Sequence, residues 1–130
     1  MISARTNEDR VAQIQTKLAH LSQLVGNTPM VCINYRYRGK EKVIYAKCEQ
    51  WNLTGSIKDR MALQILKTAY AEGVIKPFDA IVEATSGNTG IAFAALGRAL
   101  GHEVKIMIGI CLTQVGTVGR LWFRRYPASG

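Results

Sequence analysis

The sequence predicts an α/β fold organised as a parallel βαβ sandwich. The apolar run 80–84 has the length of a buried strand, the run 90–100 of small and apolar residues has the length of a helix, and 103–108 reads as a second strand. Because the connections are short and a helix separates the two strands, the strands are expected to lie parallel in one sheet. A chain of 130 residues is long enough to bury a core of its own.

The first half of the chain predicts two more helices and a hairpin. Apolar residues recur at three- and four-residue steps over 7–25, which indicates an amphipathic helix. Strands are predicted at 30–35 and 43–48, joined around Gly39. A further helix over 57–72 should bury a stripe that contains Met61, Ile65 and Ala69, with Leu66 beside it. Ser56 can cap this helix, and Gly73 ends it.

Composition and charge exclude several classes of function. The net charge of +8 is concentrated in the tail beyond residue 109 and at the predicted hairpin tip, with no basic helix face or zinc-finger spacing, so a nucleic-acid partner is not expected. No apolar run is long enough to span a membrane. Residues 1–10 carry Glu8 and Asp9 and do not resemble a secretory signal, and we therefore expect a cytoplasmic protein.

The cysteines and histidines do not suggest a metal site or a disulfide framework. The three cysteines are far apart, without a C-x-x-C pair, and Cys32 and Cys48 lie in apolar runs where buried, inert thiols are expected. His20 and His102 stand alone, and we expect both at the surface or at helix ends rather than as ligands.

Lys58 is the first candidate catalytic residue. Most lysines are solvated surface residues, but this one falls in the first turn of a predicted helix, where the helix dipole disfavours a positive charge. If the amine were also desolvated, its pKa would fall and it could act as a nucleophile. Gly55 and Ser56 would allow a flat cofactor to approach. For Asp59 and Arg60, an ion pair with other elements is the more ordinary role.

The turn Thr85-Ser86-Gly87-Asn88-Thr89-Gly90 is the second candidate. It offers three hydroxyls, one amide side chain and backbone N–H groups at the start of a helix, which together suit an anion. A well-capped helix after a strand is the simpler interpretation. The turn lacks the Gly-Lys-Ser/Thr of a Walker loop and the Gly-x-Gly-x-x-Gly of a dinucleotide site.

In combination, four segments resemble the cysteine synthase (O-acetylserine sulfhydrylase) family in order and spacing. The segments are Leu24-Val25-Gly26-Asn27-Thr28-Pro29-Met30, Ala46-Lys47-Cys48-Glu49, Asn52 to Arg60 and Ile81 to Ile91. Cystathionine β-synthase and siderophore-precursor synthases share these motifs. The resemblance covers residues 24 to about 108.

The resemblance implies a fold-type II (tryptophan synthase β-like) enzyme that depends on pyridoxal 5′-phosphate (PLP). Lys58 would be the Schiff-base lysine and the base that removes the substrate α-proton, and Asn88 would hydrogen-bond the ring hydroxyl of the cofactor. Thr85, Ser86, Gly87, Asn88 and Thr89 would hold the α-carboxylate of the substrate. The implied reaction joins O-acetylserine and sulfide to give L-cysteine and acetate, in an enzyme family that is generally homodimeric.

Two departures from the family pattern affect this prediction. Leu53-Thr54 replaces a Pro-Gly-like pair that is common before the lysine, which changes the stiffness of the loop. Residues 109–130 no longer match the family, and we expect a divergent tail that is frameshifted or disordered, after an N-terminal portion at 1–108. The missing part of the family includes its phosphate-binding loop. A non-catalytic fragment or an interaction module is therefore the alternative to an enzyme.

Overall fold

The computed structural model describes residues 7–108, so the predicted tail at 109–130 lies outside the described residues. In chain order, its elements are α1 (Asn7–Gln23), β1 (Met30–Tyr37), β2 (Lys40–Lys47), a 3₁₀ turn (Glu49–Trp51), α2 (Lys58–Ala71), β3 (Ile81–Ala84), α3 (Asn88–Leu100) and β4 (Val104–Met107). Strands β3 and β4 pair in parallel on either side of α3, and this confirms the predicted βαβ unit.

Helix α3 lies very close to the β3–β4 sheet because two glycines face the strands. A Cβ atom added at Gly97 would lie 2.6 Å from Cγ2 of Val104 and 3.1 Å from Cδ1 of Ile81. One added at Gly90 would lie 2.8 Å from Cγ2 of Thr85. Larger residues at these positions would push the helix away from the sheet. The helix ends at Gly101, whose φ of 100° is open to glycine at little cost.

The core forms where the three helices and β3 meet, and α2 contacts both α1 and α3. The stripe predicted for α2 was partly wrong. Ala69 and Leu66 are buried as expected, but Met61 is 41% exposed, and Ala62 is buried in its place. The buried face is centred about one residue further around the helix, because α3 packs against that side. The predicted stripe of α1 is buried at Ile14, Leu18 and Leu21.

Strands β1 and β2 form an antiparallel hairpin around a tight turn. Arg38 and Gly39 both have positive φ, 50° and 76°, the backbone that a two-residue hairpin turn requires. Neither strand packs against another of the described helices or strands. Apolar side chains are therefore exposed on both faces, including Ile33, Ile44 and Tyr45. An isolated two-stranded hairpin is marginally stable in water, so this one needs a cover.

This exposure overturns the prediction for the cysteines. Cys32 is exposed and Cys48 is only half-buried, and both are free thiols. Their apolar surroundings in the sequence correctly indicated strands. They did not indicate burial, because no described element covers the hairpin. Among the described residues no cluster of His, Cys, Asp and Glu could hold a metal ion. None of the helices formed by these residues is long and apolar enough to cross a membrane.

His102 directly follows the end of α3, one of the positions expected for it, but it is fully buried rather than exposed. Its Nδ1 lies 2.7 Å from the carbonyl oxygen of Asp79, and its Nε2 hydrogen-bonds the hydroxyl of Tyr70. Since a carbonyl only accepts, Nδ1 carries the proton, and Nε2 accepts from Tyr70. Burial raises the pKa of Tyr70 to about 12, which keeps this donor protonated. Burial lowers the pKa of His102. His20 is exposed, as predicted.

The Gly97→Ala substitution is expected to destabilise the fold by about 1–3 kcal/mol, because the added methyl group overpacks the contact between α3 and the sheet. Urea unfolding followed by circular dichroism measures the change. Gly87→Ala is the matched control, since a Cβ at that position would meet no atom within 4 Å. Equal losses of stability in the two variants would contradict the close-packing argument.

The free energy of unfolding is expected to fall as the pH drops below 6.5, the ordinary pKa of histidine. In that range the unfolded chain binds a proton at residue 102 that the folded chain, with its lowered pKa, does not bind. One such group contributes a slope of at most about 1.4 kcal/mol per pH unit. His102→Gln should flatten the pH dependence measured by urea unfolding between pH 7.5 and 5.5. An unaltered slope in His102→Gln would refute the assignment.

Candidate functional site

Lys58 is the first residue of α2, and its side chain is exposed. Its backbone N–H donates to Oγ of the buried Ser56 at 3.2 Å. The capping position of α2 is Ile57, one residue after the predicted Ser56, and no side chain caps the helix there. The desolvation that was set as a condition for a nucleophilic amine is not met within the described residues. The amine is instead accessible at the positive end of a helix.

Asp59, the next residue, is completely buried. Its Oδ2 accepts the backbone N–H of Thr54 at 2.6 Å, and its Oδ1 accepts the hydroxyl of the same residue. In the described part of the chain, Asp59 therefore binds its own preceding loop and does not form the predicted ion pair. The opposite exposures of Lys58 and Asp59 follow from the 100° turn between successive helical residues.

Arg60 forms the ion pair that was predicted, and its partner is Glu49. Nε of Arg60 lies 2.7 Å from Oε2 of Glu49, and Nη2 lies 2.9 Å from Oε1, which is a bidentate pair. The Glu49 side chain is only 19% exposed. Hydrogen bonds from Arg60 and then from Thr28 lower the pKa of Glu49 to about 2. The carboxylate is therefore charged at neutral pH and bonds the cation in the geometry that guanidinium favours.

The same pair joins two further segments. Thr28 donates its hydroxyl to Oε1 of Glu49 at 2.7 Å and accepts from Nη2 of Arg60 at 3.1 Å. Asn52, which is buried, accepts the N–H of Gly26 at 2.7 Å and donates to Oε2 of Glu49 at 2.8 Å. The carboxylate of Glu49 thus binds residues of three segments: the turn that follows α1, the 3₁₀ turn and the start of α2.

This network was missed by sequence reasoning, although all of its members lie in the motifs that carry the family resemblance. Thr28, Glu49 and Asn52 belong to the segments that carry the family resemblance, but no role was assigned to them. Their separation along the chain hid the contact, since Thr28 and Arg60 are 32 residues apart. The glycine at position 26 was the one signal in the sequence. Its φ is 92°, which residues with a side chain rarely adopt, and a Cβ atom there would lie 3.1 Å from Nη1 of Arg60.

The turn at 85–90 leaves the start of α3 without a side-chain cap. Gly87 occupies the capping position in extended conformation, and no side chain hydrogen-bonds the first turn. The carbonyl of Gly87 accepts the N–H of Gly90 at 2.9 Å. The N–H groups of Asn88 and Thr89, which have no acceptor within the helix, are thus available to a ligand. This geometry favours the anion site over the simpler interpretation of a well-capped helix.

A groove of about 250 Å³ runs beside this turn. Its walls are the turn itself, the first two turns of α3 and the end of the β3–β4 sheet. Ser86 and Asn88 are exposed, whereas Thr85 and Thr89 are half-buried. Helices α2 and α3 pack against each other. Lys58 begins the first of them, and the turn at 85–90 leads into the second. The two candidate segments therefore belong to the same packed unit.

Known proteins match most of the part of the chain that the structure describes. The sequence profile described as "Pyridoxal-phosphate dependent enzyme" matches residues 21–111. The chain belongs to this family. Cysteine synthase B of Escherichia coli (strain K12) is 40% identical over 91 residues, which are 70% of this chain and 30% of that protein. Cystathionine beta-synthase of Rattus norvegicus is 41% identical over 93 residues, which are 70% of this chain and 17% of that protein.

The solved structures include a hydrogen sulfide-producing enzyme from Fusobacterium nucleatum. It is 56% identical, with a TM-score of 0.68 over 71% of this chain and 28% of that chain. The fold is thus the N-terminal part of a fold-type II PLP enzyme, as predicted. This chain spans less than a third of the length of each of these three proteins.

The described residues fit the cofactor of this family. An accessible primary amine stands at Lys58, and uncapped N–H groups with hydroxyl side chains stand at the turn. Lys58 and Asn88 would hold the cofactor, through the amine and the side-chain amide respectively. An amine that attacks an aldehyde needs access from solvent during loading, and Lys58 has it.

Glu49→Gln is expected to remove a stabilising effect that exists above pH 4.5 and is lost as the pH falls towards 2. Because the pKa of Glu49 is lowered on folding, the unfolded chain takes up a proton in that window before the folded chain does. Urea unfolding at pH 7 and pH 3 measures the difference. Glu41→Gln is the matched control, because the Arg36–Glu41 pair is exposed on both sides and contributes about 0–1 kcal/mol. A Glu49→Gln variant with unaltered pH dependence would disprove the role of the network.

Proposed function

We propose that this chain is the N-terminal part of a PLP-dependent enzyme that replaces the β-substituent of an activated serine. The reaction is that of a cysteine synthase, in which O-acetylserine and sulfide give L-cysteine and acetate. The observation that carries the proposal is an accessible lysine at the start of a braced helix, beside a helix whose first N–H groups are uncapped. The cytoplasm as its location and a homodimer as the full-length assembly belong to the same proposal.

Lys58 would have two roles. Its ε-amine would hold the cofactor and, after release from it, would remove the proton from Cα of the substrate. PLP, when bound, accepts the electron pair left on Cα and so lowers the barrier to proton removal. The ammonium form of Lys58 then holds the proton close to the leaving group. Asp59 and Arg60 do not compete for these steps, because each is bonded to a protein partner.

The turn 85–89 orients the substrate. The N–H groups of Asn88 and Thr89 bind its α-carboxylate, and the hydroxyls of Thr85, Ser86 and Thr89 add donors. A carboxylate at a helix N-terminus also interacts favourably with the helix dipole. Holding the carboxylate fixes the direction of the Cα–H bond relative to Lys58, and such positioning is the main contribution a binding turn makes to rate.

Release of sulfide is the second candidate reaction. The identity of 56% with the hydrogen sulfide-producing enzyme exceeds the identities with cysteine synthase B and cystathionine beta-synthase given above. With L-cysteine as substrate, the same proton removal would expel hydrosulfide in place of acetate, and a second nucleophile would occupy the β-carbon. Replacement by homocysteine, as in a cystathionine β-synthase-like enzyme, uses the same residues.

A non-catalytic fragment is the alternative of a different class. The chain spans about 30% of cysteine synthase B, and Lys58 is exposed. The hairpin presents apolar side chains on both faces. A chain with these properties would self-associate through the uncovered surface, since contiguous apolar patches of this kind mark interfaces.

Addition of PLP to the purified chain tests the proposal. We expect a saturable visible band and, after borohydride reduction, a label at Lys58 found by peptide mass spectrometry. Lys58→Ala should abolish the saturable band and lower the total trapped PLP by at least about tenfold, because no other described lysine begins a helix. Lys67→Ala, a half-buried lysine later in α2, is the control and should retain the band.

Assays that supply O-acetylserine with sulfide, or L-cysteine alone, then separate synthesis from sulfide release. A label scattered over surface lysines in the unaltered chain would overturn the proposal and favour the non-catalytic fragment. Size-exclusion chromatography of the same sample reports whether the chain self-associates.

A further inference from the structure

The loop 52–57, which precedes Lys58, is held by two attachments. One of them comes from Asp59, the residue that follows the lysine. We infer that Asp59 is a positioning residue for Lys58, which it fixes through Thr54 by clamping the loop onto the first turn of α2. This inference rests on the proposed function, because it assigns a role relative to Lys58. Its contacts, however, are properties of the chain alone.

The clamp uses both oxygens of one buried carboxylate. Oδ2 of Asp59 accepts the N–H of Thr54 at 2.6 Å, and Oδ1 accepts its hydroxyl. Asp59 has no exposed surface, so water does not compete for these bonds. Hydrogen bonds to a charged acceptor are about twice as strong as neutral ones. The loop between the two residues is therefore closed by a strong two-point contact.

The other end of the loop is attached independently. Asn52 accepts the N–H of Gly26 at 2.7 Å, and its own carbonyl accepts the N–H of Gly55 at 2.9 Å. Gly55 has a φ of 80°, a conformation that glycine adopts without strain. The loop thus begins with a tight turn from Asn52 to Gly55. Thr54, which Asp59 binds, lies inside that turn.

Lys58 depends on this loop through its own backbone. The N–H of Lys58 donates to Oγ of Ser56, which lies inside the clamped segment and is buried. With Thr54 fixed, Ser56 stays in place and the first turn of α2 remains formed. The side chain of Lys58 is left exposed and mobile in its χ angles, while its Cα is fixed.

The loop 52–57 contains no proline. A proline would restrict φ and stiffen the loop covalently. In this chain, hydrogen bonds from Thr54 to Asp59 supply the restriction.

Amide hydrogen exchange followed by NMR tests the clamp in the whole chain without cofactor. Asp59→Asn keeps the shape of the side chain but removes an acceptor and the charge. We expect the amides of Thr54 and Lys58 to exchange about ten- to a hundredfold faster in this variant. Thr54→Val, which loses only the hydroxyl, should have a smaller effect in the same direction. Thr54→Ser keeps the hydroxyl and should therefore keep the slow exchange.

Asp79→Asn is the matched control, since Asp79 accepts the backbone N–H of Lys76 at 2.8 Å. It should speed exchange at Lys76 and leave Lys58 unchanged. Faster exchange at Thr54 with no change at Lys58 would overturn the positioning role and leave a purely local bond. Unchanged exchange at Thr54 in both Asp59→Asn and Thr54→Val would show that the clamp does not exist.

A second readout connects the clamp to the cofactor. The share of borohydride-trapped PLP on Lys58, relative to Lys67, should fall at least about threefold in Asp59→Asn and stay unchanged in Thr54→Ser, which keeps the hydroxyl that Asp59 binds. An unchanged share would contradict positioning. If the unaltered chain takes no label at Lys58, the proposed function fails, and the exchange experiment still decides whether the clamp fixes Lys58.

Discussion

The pair between Glu49 and Arg60 is the contact on which the arrangement around Lys58 depends. It links the turn after α1, the 3₁₀ turn and the start of α2, and the first and last of these contacts lie 32 residues apart in the sequence. A bidentate pair has a defined direction, so it fixes orientation as well as distance. Because the carboxylate accepts from Thr28 and Asn52 in addition to Arg60, its charge is fully hydrogen-bonded despite being largely removed from water.

The second candidate segment is positioned by packing rather than by charge. Gly90 and Gly97 bring α3 close to the sheet, so the end of β3 passes into the helix through a turn with little freedom. Gly87 then leaves the first N–H groups uncapped, a cost in helix stability that a bound anion would recover. Polar bonds fix the lysine and close packing fixes the candidate anion-binding turn, and the contact between α2 and α3 joins the two.

Local patterns predicted the elements well, and they failed where the answer depended on distant partners. The βαβ order, the hairpin around Gly39 and the end of α3 at Gly101 follow from periodicity and turn residues, and all are observed. Cys32 was placed in a core because its neighbours are apolar, yet burial needs a covering element. His102 was expected at the surface or at a helix end; it follows the end of α3 but is buried, because Tyr70 and Asp79 satisfy both of its ring nitrogens. Neither partner is adjacent in sequence.

Family membership and catalytic competence are physically separate properties of this chain. The family match covers residues 21–111, and its described part, up to residue 108, lies in a packed unit with an accessible lysine. An exposed amine, however, is solvated, and a nucleophilic lysine in this chemistry needs a site that excludes water. Residues 7–108 leave both the lysine and the apolar hairpin exposed, so a cover for them has to come from outside these residues. A single partner surface that covered both would restore the core and the site together, and for this reason assembly and activity should be measured on the same sample.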